Sequence, residues 1–580
     1  MRLALPALIA VALALPALAQ APAQPKKRSV AISDPFEVGD SQSGSYLSAL
    51  IAGAERDTHA ASTFSREALR HDPRNKDLIE RAFVSTLSNG DMREAFTLGE
   101  KLGKLDPKNG IVHLALGVRA FKAKQFSNAR TEIARGGGNR QRDLTVALLT
   151  AWSWAGAGDG KKALETLAAL KDDRFGAFRD YHMGLIADIA GNAPEALKRL
   201  KSAYEGEKTS LRVVDTFARF QARRGEREEA KNIYREFDKL APRHPLVMAA
   251  LADLEAGKPM EQSVPNAVAG AGEVVYQLGA LGSQQNDSFL GMIYLRMSLY
   301  LAPENALSII TLADIFERIK QYERAIDVYE TVPAGSPLRA NSEIQSGLIL
   351  ETLGKTDEAL KHLLAVAAAN PADFEAQVAL GNLQRSRKDY AAAADTYTKV
   401  IDALGAPTRG DWTNFYFRGI AYERSKQWAN AEADFKKALE LFPDQPLVLN
   451  YLGYSWVDQG LNLDESFKLL RRAVELRPND GYIIDSLGWA HYRLGRYNEA
   501  LNELEKAIEL KPGDPVINDH LGDVYWKAGR KLEAQFQWNH ARDLKPEPED
   551  LANILKKIEN GLEEDKKPAA ADAGPARDGG

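Results

Sequence analysis

A pattern of small and large residues returns every 34 residues along most of this chain, and it leaves little choice of fold. In residues 481–514, Leu487-Gly488 is followed by Gly495, Tyr497, Ala500, Leu504, Ala507 and Pro512. Residues 515–548 repeat it in register with Leu521-Gly522, Gly529, Ala534, Trp538, Ala541 and Pro546. A repeat of this length is one supersecondary unit that cannot bury its apolar face alone. Neighbours must stack, and function must be read from the surface the stack creates.

The spacing has a physical cause. Gly488 and Gly522 fall inside a first helix, where glycine is costly in isolation. A position without a side chain lets a second helix approach closely, which offsets that cost. Ala500 and Ala507 put small residues on one face of the second helix. Gly495 and Gly529 fall at the turn between the helices, where a positive φ suits glycine. Pro512 and Pro546 end the second helix. The unit reads as helix A, tight turn, helix B, tight turn.

This pattern resembles the tetratricopeptide repeat, whose small residues stand at repeat positions 8, 20 and 27 with proline at 32. Further copies start at residues 306, 340, 412 and 446, with weaker ones at 272 and 374. The first half follows the same period more loosely, from residues 76, 110, 144, 177 and 211, and 42–75 is a first copy. The expected fold is all-α, a tetratricopeptide superhelical solenoid of about fourteen helix-turn-helix repeats in two arrays with a C-terminal capping helix.

The start of the chain is different. Arg2 precedes an apolar run from Leu3 to Leu15 and then Ala17-Leu18-Ala19, the pattern of a secretory signal peptide, with cleavage expected before Gln20. The run is too short to favour a spanning helix. The chain has no cysteine, so it offers neither a lipid-bearing cysteine at such a site nor a disulfide framework. These features predict a protein exported to the periplasm and held together by packing alone. Net charge is −5 over 580 residues, with basic and acidic residues interleaved, which argues against a nucleic-acid partner. Lys26-Lys27-Arg28 reads as a solvated linker.

The expected segments are a signal peptide at 1–19, a disordered linker at 20–41 and an N-terminal array at 42–256. A seam follows at 257–271, where Gly257-Lys258-Pro259 and Pro265 break the period. A C-terminal array at 272–548 leads to a capping helix at 549–564, with Leu551, Ile554, Leu555, Ile558 and Leu562 on one face, and a disordered tail at 565–580.

No catalytic constellation emerges. There is no HExxH, and the nine histidines are scattered, with His491 at a repeat core position. Gly158-Asp159-Gly160-Lys161-Lys162 lacks the first glycine and the final Ser/Thr of a phosphate loop. Gly270-Ala271-Gly272 follows no strand, Gly136-Gly137-Gly138-Asn139 reads as a loop, and no nucleophile elbow appears. The chain is expected to be non-catalytic, with no cofactor and no metal.

Function then falls to the inner face. In tetratricopeptide folds helix A lines the groove through repeat positions 2, 5, 9, 12 and 13. Carried onto this chain, the last three repeats place Asn450, Tyr454 and Asp458, then Tyr482, Asp485, Trp489, Tyr492 and Arg493, then Asp519, Asp523, Trp526 and Lys527 as partner-binding residues. Trp, Tyr and Arg are the types that dominate binding energy. The competing reading packs Trp489 and Trp526 inside the stack. The paired Lys and Asn of carboxylate-clamping grooves are missing, because acids occupy several of those places.

The runs Leu452-Gly453-Tyr454-Ser455-Trp456, Asp485-Ser486-Leu487-Gly488-Trp489 and Asn518-Asp519-His520-Leu521-Gly522-Asp523 resemble a family of large bacterial envelope tetratricopeptide proteins. That family is similar to the adaptor lipoproteins that bind carboxyl-terminal processing proteases and bring cell-wall hydrolases to them. The resemblance implies a protein partner, such as a periplasmic protease or cell-wall enzyme. The alternative is a structural scaffold for polysaccharide export or outer-membrane assembly. The resemblance departs at the lipid-bearing cysteine, which this chain lacks.

Overall fold

The protein is seen in a computed structural model that describes residues 41–136, 140–170, 175–284 and 288–562. The signal peptide, the linker up to residue 40, most of the glycine loop at 136–139 and the tail from 565 lie outside the described residues. The described residues form thirty α-helices and no strand. The first ten are α1 Gln42–Ala54, α2 Thr58–His71, α3 Lys76–Asn89, α4 Met92–Leu105, α5 Gly110–Lys122, α6 Phe126–Arg135, α7 Arg140–Gly156, α8 Gly160–Ala168, α9 Gly176–Ile189 and α10 Ala193–Gly206. Then come α11 Leu211–Arg223, α12 Arg227–Asp238, α13 Pro245–Glu255, α14 Ala267–Gln284, α15 Ser288–Leu301, α16 Ala306–Arg318 and α17 Tyr322–Tyr329. They continue with α18 Arg339–Thr352, α19 Thr356–Ala369, α20 Phe374–Ser386, α21 Tyr390–Ala403, α22 Trp412–Arg424 and α23 Trp428–Leu441. The last are α24 Pro446–Gln459, α25 Leu463–Leu476, α26 Gly481–Arg493, α27 Tyr497–Leu510, α28 Pro515–Lys527, α29 Lys531–Asp543 and α30 Pro548–Asn560. In chain order all but α13 and α30 alternate as helix A and helix B, which gives fourteen pairs.

Local chemistry sets the ends of these helices. Asn75, Asn109, Asn305, Asp373 and Asp514 each cap a helix A, accepting backbone N–H groups of its first turn. Pro446 and Pro515 sit at the first helical position, where the missing N–H costs nothing. The A-to-B turn passes through the left-handed region, with φ +71° at Gly495 and +82° at Gly529. Where glycine is missing, lysine takes the same conformation, at Lys124, Lys320, Lys388 and Lys426.

The mid-helix glycines are contact points. A Cβ on Gly488 would stand 2.7 Å from Leu504 Cγ, and one on Gly522 would stand 2.5 Å from Trp538 Cδ1. Helix B therefore presses an apolar side chain onto bare helix A backbone. Ala500, Leu504 and Ala507 are fully buried, as are Ala534, Trp538 and Ala541 one repeat later.

The helices gather into two compact units, each built from two stretches of chain. One joins the residues up to Arg199 with Val264–Leu301; the other joins Leu200–Ser263 with the residues from Ala302 onward. This differs from two consecutive arrays. The 272–305 repeat forms its helix pair, α14 and α15, but the pair belongs with the N-terminal helices. There α14 packs on α5, α7 and α9, and α15 packs on α3 and α5, all of them A helices. Composition explains it: from 267 to 301 the charged residues are only Glu273, Asp287 and Arg296, so these helices are apolar all round and must be covered on more than one side. Val274, Val275, Leu295 and Met297 are fully buried, and a Cβ on Gly270 would stand 2.2 Å from Trp152 Cε3. Polar anchors accompany the packing. Tyr181 donates to Glu273 at 3.0 Å, Arg296 Nε to the Ser88 carbonyl at 3.3 Å, and Lys122 Nζ to the Leu301 carbonyl at 3.0 Å.

Two substitutions test this account of the glycines. Gly270→Ala forces Cβ into Trp152 and should cost about 1–3 kcal/mol, the usual cost of overpacking. Gly495→Ala must hold alanine at positive φ and should cost about 1 kcal/mol. Gly513→Ala, in open space, is the control and should leave the thermal midpoint where it is. Equal midpoints for all three variants would refute the close-approach account.

Candidate functional site

The inner side of the last repeats is built by the A helices α24, α26 and α28, each touching the next, and is closed by α30. Side chains from successive A helices meet here 35 residues apart. Asp485 on α26 faces His520 on α28, with Nδ1 at 2.9 and 3.1 Å from the two carboxylate oxygens. Both residues are buried. Burial alone would lower the His520 pKa, but the Asp485 carboxylate, with Asp519 and Asp523 beyond it, turns the shift upward. The ring of Trp489 lies on His520, centroids 4.0 Å apart and planes within 17°, and Tyr492 also stacks on Trp489 at 4.7 Å. The carboxylate favours the charged form of the ring, and that form gains cation–π attraction from the indole as well as the ion pair.

A second charge cluster sits one step along. Lys557 of α30 reaches Asp519 Oδ2 at 2.7 Å and Asp523 Oδ2 at 2.8 Å. The other Asp523 oxygen accepts the indole N–H of Trp538 at 2.9 Å. Burial raises the Asp523 pKa and Lys557 opposes it. Lys557 is itself raised, because the two aspartates outweigh its desolvation. Lys557 thus fastens the capping helix to the last repeat, while Ile554 supplies the buried apolar contact. Leu551 and Ile558 are half-buried, but Leu555 is exposed, so it does not share the buried face expected of it.

The twelve sequence-predicted residues divide accordingly. Asp485, Asp519 and Asp523 lie inside ion pairs rather than open to a partner, because each neighbouring helix brings a cation to it. Trp526 packs 5.3 Å from Trp538 and directly against Gly561, as part of the cap. The packed reading therefore describes Trp526, whereas Trp489 sits at the core margin with its Nε1 unbonded. Lys527 and Tyr492 are half-buried and engaged. Asn450 is half-buried with its Oδ1 unbonded. Tyr454 is half-buried, and burial followed by Asp458 and Asp485 pushes its phenol up. Asp458 and Arg493 are exposed and pair at 3.1 Å; they hold the same position of successive repeats, 35 residues apart because 446–480 carries one extra residue. Tyr482 is 52% exposed, with Lys511 over its ring.

Sequence reasoning missed His520, Lys557 and Trp538. His520 stands at repeat position 6, just outside the groove positions considered. The signal that would have found it is the spacing of 35 residues from Asp485, the same as from Asp458 to Arg493.

Two measurements follow from these pairs. The folded pKa of His520 lies above its unfolded value near 6.5. Its contribution to stability is therefore complete below about pH 6.5 and is lost as pH rises through the folded value. The thermal midpoint should fall on the alkaline side, and His520→Asn should flatten that part of the profile; an unchanged profile would show that His520 is not the titrating group. Lys557→Ala leaves two carboxylates facing each other without their cation and should cost about 3–5 kcal/mol. Adding Asp519→Asn and Asp523→Asn to Lys557→Ala should recover part of that loss, as followed by denaturant unfolding.

Sequence models described as the TPR repeat match residues 488–529, and others described as the tetratricopeptide repeat match 345–406 and 413–445. A TPR repeat-containing protein of Pseudomonas aeruginosa is 28% identical over 195 residues, which is 33% of this chain and 31% of that protein. The match thus spans about a third of that relative's length. Among solved structures, a tetratricopeptide repeat protein from Parabacteroides merdae covers 44% of this chain and 99% of its own, at 18% identity and a TM-score of 0.38. The Cut9–Hcn1 hetero-tetramer of the APC/C covers 89% of this chain and 96% of its own, at 15% identity and a TM-score of 0.36. With its fourteen helix pairs, its bare glycine contacts and three matched repeat segments, the chain carries tetratricopeptide repeats and folds as they do.

Proposed function

We propose that this protein is a non-catalytic scaffold of the bacterial periplasm that binds a protein partner on the inner side of its C-terminal repeats. Removal of residues 1–19 on export releases the working chain. The partner is a processing protease or a cell-wall hydrolase, which the scaffold holds against its substrate. The leader pattern of Arg2, the apolar run and Ala17-Leu18-Ala19 supports export. None of the described helices is long and apolar enough to cross a membrane.

The observation that carries the binding site is the stack of Tyr492, Trp489 and His520. An aromatic surface locked by the Asp485–His520 pair loses little side-chain freedom on binding, which is what a preorganised anchor requires. Tyr454, Asp458 and Arg493 flank it with one aromatic ring and both signs of charge. They provide the polar rim that surrounds such anchors.

The test is affinity capture from envelope extract with mass spectrometry, comparing wild type with Trp489→Ala and with Tyr454→Ala plus Arg493→Ala. Trp526 is kept out of the set because it fastens the cap. Loss of an anchor of about 2 kcal/mol weakens binding roughly 30-fold. A protease or wall hydrolase should be captured by wild type and lost in variants that keep their helical circular dichroism. Capture that survives both variants would place the partner elsewhere, and capture of export or assembly machinery instead would replace the adaptor reading. Intact mass of the purified protein tests export, which a chain beginning at Met1 would refute.

A further inference from the structure

The helix pair α14–α15 fills the A-helix side of the N-terminal unit over α3, α5, α7 and α9, so a partner cannot lie on that side. The filling ends at Phe289, near the start of α15, and no other described helix covers the first repeat there. Between α1 and α3 runs a groove made of two adjoining pockets that share Asp77. One, of about 440 Å³, is bounded by Phe289; the other, of about 430 Å³, is bounded by Tyr46 and Leu47. Positions 42, 46, 49 and 53 of α1 line it in order, spaced four, three and four residues, so one face of α1 forms its wall from end to end. That face spans twelve residues, or about 18 Å at 1.5 Å per residue.

We propose that this groove is a docking site for one amphipathic helix of about three turns from a partner protein, apolar on its inner side and basic on its rim. Three features specify the occupant. The floor is made of small residues, Ala49, Gly53, Ala61 and Ser65, which admit large apolar side chains rather than supply them. Phe289 is partly exposed at the groove's edge, and Leu47, 57% exposed, lines it from α1. The rim charge is acidic: Asp77 and Glu80 take part in no salt bridge among the described residues, and Arg81, turned over the Tyr46 ring at 5.4 Å, is the single cation of the lining. A Lys or Arg on the incoming helix would complete Asp77 and Glu80, as Lys557 completes Asp519 and Asp523 at the other end of the chain. The groove owes its closed end to the chain's own helix pair, and so it is a different place from the C-terminal aromatic stack.

Gly53 gives a clean test. A Cβ there meets nothing within 4 Å, so Gly53→Leu starts its side chain into the open groove, and leucine is a better helix former than glycine. The probe is a displayed library of 14-residue peptides built on a helical alanine frame, panned against the full-length chain. Peptides with apolar residues at i, i+3 or i+4 and i+7 and a Lys or Arg on the rim should be enriched. Their binding should fall at least tenfold on Gly53→Leu and on Asp77→Lys, and be unchanged by Trp489→Ala. Enriched peptides indifferent to Gly53→Leu would overturn the site. Enriched peptides with acidic rims would overturn the assigned partner chemistry, as would a change of oligomeric state on Gly53→Leu in sedimentation, which would make the occupant a second copy. Peptides lost only on Trp489→Ala would support the C-terminal site and count against this one.

Discussion

One contact organises this protein: a side-chain-free residue on helix A meeting an apolar side chain of helix B sixteen residues later. It recurs as Gly117 with Ile133, Gly279 with Leu295, Gly347 with Leu363, Gly381 with Tyr397, Gly419 with Phe435, Gly488 with Leu504 and Gly522 with Trp538. Gly453 meets Leu470 one residue late, because the turn there carries an extra residue ahead of Asn462, itself at positive φ. In these eight repeats the knob varies from Ile to Trp while the hole stays a glycine. The hole sets the closeness of the two backbones, and the knob only has to fill what remains.

The same spacing distributes polar chemistry. Once each helix pair stacks on the next at a fixed step, a side chain on one A helix reaches the A helix one repeat further on. Asp458 thus meets Arg493 and Asp485 meets His520. The series closes on α30, whose Lys557 takes the cation's place. Desolvated carboxylates are costly when unpaired. The inner side therefore tolerates buried Asp485 and Asp523 because the following element neutralises each of them. The cap is the end of an ion-pair series as much as the cover of an apolar surface.

Much of this was legible in the sequence. The helix pairs, their turns, the lone helix α13 and the cap follow from glycine, alanine and proline at fixed intervals, since those residues act locally. The inner-face residues could also be located, because repeat position fixes the side of helix A. What could not be read was their state. Asp485, Asp519 and Asp523 looked like open groove acids because their cations lie a repeat away. Trp526 looked like Trp489 because both precede the A-to-B turn by a few residues. Only the helix that follows decides which tryptophan is covered, and after Trp526 that helix is the cap.

The pair α14–α15 shows the limit of periodic reasoning most sharply. It obeys the repeat internally, down to Gly279 against Leu295, so period alone would stack it in sequence with α16 and α17. Its composition says otherwise. A helix pair with one charge on each helix has no face to give to water, and stacking in line would expose one side of each helix. Laid across the A helices α3, α5, α7 and α9, it is covered on its second side, and its two charges find Tyr181 and the Ser88 carbonyl. Period decides how a repeat folds within itself. The balance of apolar and charged surface decides what the repeat lies against, and therefore which part of the inner side remains open to a partner.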